Sequence, residues 1–174
     1  MGMKRASAAV AGATLLAAGI AMAGAGSAAA SGTGRLDVYY LHIFFDCNNP
    51  SFCGSENLGG FYGSGEMDHN VTTGANTGKA LLTGFSRPTF KIISRTSIDV
   101  TDWWVGPGST GPQSFRADEV ATITSNGQTQ VETLKNDDVG VPAVPGHYTT
   151  SQLLGSPPPP NVTEEIDVTF KPAH

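Results

Sequence analysis

The sequence predicts an all-β protein, an antiparallel β-sandwich of Greek-key or jelly-roll kind, behind a cleaved leader. Three observations predict it. No helical period follows residue 30. Runs rich in β-branched and aromatic residues recur between short Gly, Pro and polar breaks. Most of those runs alternate, so that each presents one apolar face, as two packed sheets require. A closed barrel is the alternative arrangement of the same strands.

Residues 1–30 read as a secretory signal peptide. Lys4 and Arg5 form a short basic start, an uncharged Ala/Gly-rich apolar run follows, and Ala28 and Ala30 occupy the small-residue positions of a cleavage site. This leader resembles those of exported proteins of high-GC bacteria. The expected mature chain, residues 31–174, is then one domain of 144 residues, secreted and extracellular. No second apolar run of spanning length follows, so no membrane association is expected after cleavage. Without Lys4 and Arg5, eight basic residues face fifteen acidic ones, a net charge of −7. Such a surface is unsuited to nucleic acid, whose phosphates require a basic face. Oligomeric state is not encoded in any pattern.

The first expected strand is Arg35 to Asp46. Tyr39, Leu41, Ile43 and Phe45 share one face, and Val38, Tyr40, His42 and Phe44 the other. Both faces are apolar, which predicts a central strand covered on both sides, with His42 packed in the core. Phe44 to Asn70 follows, FFDCNNPSFCGSENLGGFYGSGEMDHN, and reads as a loop. Its cysteines, Cys47 and Cys53, are the only two in the chain. An even pair in an exported protein predicts a disulfide. A ring this short stabilises by roughly 2 kcal/mol and staples a turn.

Further strands are expected at Gly78 to Phe85 and Thr89 to Trp104, the latter with Phe90, Ile92, Ile98 and Val100 inward. Asn126-Gly127 is the strongest local signal, a two-residue type I′ turn in which both positions take positive φ. It sets Thr124 opposite Thr129, Thr122 opposite Val131 and Val120 opposite Thr133, a β-branched face that reads as the half-buried wall of the sandwich. The last strand spans Asn161 to Lys171, with Ile166, Val168 and Phe170 inward, and the stiff SPPPP segment leads into it.

Candidate functional residues are few. No stretch satisfies an EF-hand register, because Pro50 or Val71 stands where the pattern needs another residue. No cofactor is therefore expected. A discontinuous calcium site would draw on Glu56, Glu66, Asp68 and Asn70. His69 beside Asp68 is the histidine placed to ligate or titrate. No G-x-S-x-G element occurs, so no catalytic residue is assigned and an enzyme is the less expected outcome. Aromatic residues carry the leading expectation. Trp103 and Trp104 point to opposite faces of a strand, so that one enters the core while the other stays near the surface. Tyr62 is exposed by flanking glycines. Rings of this kind stack on sugars or anchor proteins. The expected function is thus a secreted, non-enzymatic binding or surface module for an extracellular glycan or protein. The alternatives are a secreted protease inhibitor presenting the Cys47–Cys53 loop or the rigid SPPPP segment, and a small secreted hydrolase.

Overall fold

The computed structural model describes residues 34–173. The expected signal peptide, residues 1–30, lies outside the described residues. The described residues are nearly all β, as expected. In place of two sheets, however, their strands form one continuous antiparallel sheet in the order β6-β5-β4-β3-β2-β1-β8-β7. The strands are β1 (Leu36–Cys47), β2 (Gly59–Asn70), β3 (Asn76–Ser86), β4 (Lys91–Gly108), β5 (Gly111–Ser125), β6 (Gln128–Pro142), β7 (Gly146–Thr149) and β8 (Val162–Lys171). Among the described residues two one-turn α-helices, α1 (Pro50–Cys53) and α2 (Thr150–Leu153), and one 3-10 turn, Ser55–Asn57, interrupt them.

A single sheet can bury an apolar face only by coiling over itself. Four strand spacings separate β1 from β5, about 19 Å across a flat sheet. Yet Tyr39 of β1 and Phe115 of β5 have ring centroids 5.3 Å apart, and Trp103 of β4 lies 6.0 Å from Tyr39 and 5.4 Å from Phe115. All three contacts are edge-to-face. Leu41, Met67, Val100, Ala117, Val141, Ile166 and Val168 complete the core between the two halves, and α2 adds Leu153. Small residues gather at β2 and β3. The inward positions of these strands include Gly63, Gly65, Gly78 and Ala80, in register with Ile43, Leu41 and Tyr39 of β1. Small inward residues let a sheet fold sharply, and Gly within a strand marks such a bend. A Cβ on Gly63 would overlap the Leu81 carbonyl oxygen.

The hairpin is as expected. Asn126 and Gly127 have φ of 51° and 76°, and Thr124–Thr129, Thr122–Val131 and Val120–Thr133 are paired. Its β-branched face points outward rather than into a sandwich, since Val131 is 63% exposed. In β8, Ile166 and Val168 are buried, while Phe170 reaches the margin of the core against Tyr39, centroids 4.7 Å apart.

Three strand-level expectations need correction. The stretch after Cys53 is mostly strand: β2 is a central strand despite its glycines. In β4, a bulge pairs Gly84 with Ser94 but Phe85 with Ile92. That extra residue reverses the face, and Phe90 and Ile92 are exposed rather than inward. β1 is central, between β2 and β8, but covered on one face only. Leu41 is buried while Tyr40 is exposed, and His42 is exposed rather than packed in the core.

The Cys47–Cys53 disulfide is present, with Cα atoms 6.6 Å apart. It encloses α1, whose first turn is capped by Asn49 accepting from Ser51 N at 3.0 Å.

Two substitutions test this fold. Gly127→Val should lower stability by about 1–3 kcal/mol through backbone strain at positive φ; an unchanged denaturation midpoint contradicts the turn. Ile166→Ala should cost about 2–4 kcal/mol, as expected for a residue 1% exposed; a change near zero would place β8 the other way round.

Candidate functional site: the open outer face

The coil covers the inner face of the sheet, and among the described residues no second layer covers the outer face. Across β8, β1, β2 and β3 the register builds two adjacent rows on that face. One row runs Asp167–His42–Ser64–Leu81 and the next Glu165–Phe44–Tyr62–Thr83. These eight residues, with Ile43 and Gly63 beneath, line a shallow groove of about 440 Å³. Phe44, Tyr62 and Leu81 give it apolar surface, His42, Ser64 and Thr83 lie among them, and Asp167 and Glu165 make one end acidic.

A small aromatic cluster holds the floor. Phe85 is 4% exposed, and its ring lies 6.4 Å from both Phe44 and Tyr62 and 5.4 Å from Phe90. The Arg87 guanidinium sits 3.9 Å above the Phe90 ring and forms an ion pair with the buried Asp46. This ties the outer cluster to the end of β1. Tyr62 remains 46% exposed and Leu81 67% exposed, so both are open to a ligand. At the acidic end His147 of β7 contacts Asp167, Nδ1 to Oδ1 2.7 Å.

The residues singled out in the sequence are scattered by the fold. Tyr62 is in the groove, on a strand rather than a loop. Trp103 is 7% exposed in the core, where its Nε1–H is shared by the carbonyls of Asp68 and Thr77, each at 3.0 Å. Trp104 is half-buried on the outer face. It lies seven residues beyond Ser97, the β4 partner of Leu81, or about 23 Å along the strand from the groove.

Glu66 and Asp68 extend the outer face of β2. Glu66 pairs with Lys79 at 2.9 Å. Burial, then the neighbouring Glu66, raises the Asp68 carboxyl above its ordinary value. Asn70 is used at the strand end, where its Oδ1 accepts from Thr72 N and Thr73 N. Glu56 lies before β2, at the opposite end, hydrogen-bonded to Ser55. Glu56 is thus separated from Glu66, Asp68 and Asn70, and among the described residues no three His, Cys, Asp or Glu side chains converge as a metal site. His69 bonds Asn76, Nδ1 to Oδ1 2.7 Å, and Asn76 Nδ2 donates to Trp103 O at 2.7 Å. That chain of bonds locks the end of the β2–β3 hairpin.

Sequence reasoning missed most of the groove. His42 and Phe44 were readable as one face of β1, but their neighbours Ser64 and Thr83 depended on recognising β2. It also missed Glu119. This carboxyl is 7% exposed, between Val100 and Leu134 of the flanking strands. Burial chiefly, then the charge of Asp137, pushes its pKa to about 7. Burial raises Asp137 as well. Two raised acids make the folded state bind more protons than the unfolded one. Their contribution is complete below about pH 4 and is lost as pH rises through about 7. The melting temperature should therefore fall between about pH 5 and 8, and Glu119→Gln should flatten that decline. A wild-type midpoint that rises over this range contradicts the buried acid.

Comparison of the chain with protein-family models, with curated proteins and with solved structures found no match.

Proposed function

We propose that this protein is a non-enzymatic binding module that takes a glycan in the outer-face groove. One observation carries the reading: an exposed tyrosine and leucine share two adjacent rows of one groove with two carboxylates, an imidazole and two hydroxyls. A sugar ring has the matching character. Its C–H face stacks on an aromatic ring, and its hydroxyls donate to carboxylates and exchange hydrogen bonds with Ser and Thr. The acidic wall of Glu165 and Asp167 disfavours anionic ligands and suits neutral or amino sugars. An exported chain would meet such glycans outside the cell.

The alternatives fit less well. Glu165 and Asp167 project from one strand on one wall, whereas glycoside hydrolysis places its two carboxyls on opposite sides of the bond. The disulfide ring is occupied by the helical turn α1, not by an extended segment of the kind that lies along a protease cleft.

Screening neutral and amino-sugar oligosaccharides, followed by calorimetry, tests the reading. Tyr62→Ala should weaken binding at least about tenfold, or 1.4 kcal/mol, and Asp167→Asn should also weaken it. Trp104→Ala should leave affinity unchanged. A blank screen, or a Tyr62→Ala variant that binds as the wild type, contradicts it.

A further inference from the structure

The sheet is open, so it has two edges, β6 and β7. The β7 edge is only four residues long and is bordered by Pro145 and α2. The β6 edge differs. From Gln128 to Leu134 it pairs without interruption to β5, and this stretch contains no Pro, no Gly, no Lys and a single charge, Glu132. Natural proteins usually block such an edge with those residues or with a bulge. Here the blocking features come only after it, at Lys135 and the positive-φ Asn136.

The two-residue turn dictates which backbone groups are free. Ser125 and Gln128 flank it and form the first hydrogen-bonded pair. Pairs then alternate, so Gln130 and Glu132 bond to β5, while Thr129, Val131 and Thr133 turn their N–H and C=O groups outward.

We propose that this edge pairs with the β6 edge of a second copy of the chain, antiparallel about a twofold axis centred on Val131. In that register Val131 faces its own copy as a hydrogen-bonded pair that uses the outward groups. Thr129 faces the partner's Thr133, and Gln130 faces the partner's Glu132. Within one chain the Gln130 amide already donates to Glu132 at 2.7 Å, so the same donor–acceptor match is available across the axis. No like charges are opposed. The twofold axis runs perpendicular to the sheet, so both outer faces look the same way. This inference does not depend on what the groove binds; if the groove takes a glycan, two sites on one face add avidity for a multivalent surface.

Sedimentation velocity of the purified protein up to high micromolar concentration tests it. The expected result is a reversible dimer, twice the 18.0 kDa chain or twice its processed form. Val131→Pro removes an outward N–H without touching the β5 ladder, and Val131→Lys opposes two like charges at the axis. Each should weaken dimerisation at least tenfold, with circular dichroism unchanged. If Val131→Pro does not fold, Val131→Lys decides. A Val131→Cys variant should form an intermolecular disulfide, because Cα atoms of such a pair lie about 5.5 Å apart. Thr129→Cys should not, because its copy would be about 14 Å away along the strand. A wild-type monomer throughout the range, a dimer that survives Val131→Lys, or open-ended assembly would overturn the proposal.

Discussion

Edge-to-face packing of Tyr39, Trp103 and Phe115 is the interaction on which the architecture rests. One sheet has no partner layer, so its apolar face must be covered by its own far half. The three rings join β1 to β4 and β5 across the gap. Trp103 also reaches over β3 to β2 through its shared indole N–H. Small residues make this approach feasible: without Gly63, Gly65 and Gly78 on the concave side of β2 and β3, inward side chains would hold the halves apart. Small residues on β2 and β3 and ring contacts in the core are two parts of one solution.

The outer face follows from that solution. Every strand that coils inward to make a core leaves its alternate residues uncovered, so the aromatic floor at Phe44 and Tyr62 is stabilised from within the same layer, by Phe85 and Phe90. The open edges have the same origin, since a coiled sheet that stops short of closure keeps both. Glu119 marks the cost of wrapping a long β5 around the core, with a carboxyl carried into an apolar strip beside Val100.

Legibility from sequence varied with how local the determinant is. The Asn126-Gly127 turn states its own geometry, so the β5–β6 register was readable pair by pair. β8 was readable because Ile166 and Val168 alternate with Glu165 and Asp167. β2 was not: four of its residues are glycines, which carry no hydrophobic signal, and their value lies in what neighbouring strands need. The bulge opposite Gly84 likewise left no local mark, so Phe90 and Ile92 were assigned to the wrong face. Alternation reports that a face is apolar. It does not report whether a second sheet or the same sheet covers it, and that gap separates the expected sandwich from the observed coil. The groove depended on β2 and was lost with it; only Tyr62 survived, because glycines on both sides advertise an exposed ring.

The most direct test of the coil is a double-mutant cycle between Tyr39 and Phe115, each changed to Leu, read by denaturant unfolding. The two strands are not neighbours in the sheet, so only coiling brings these residues together. Contact between the rings predicts a coupling energy of about 0.5–1.5 kcal/mol. Strictly additive effects would show that β1 and β5 do not meet and would contradict the single coiled sheet.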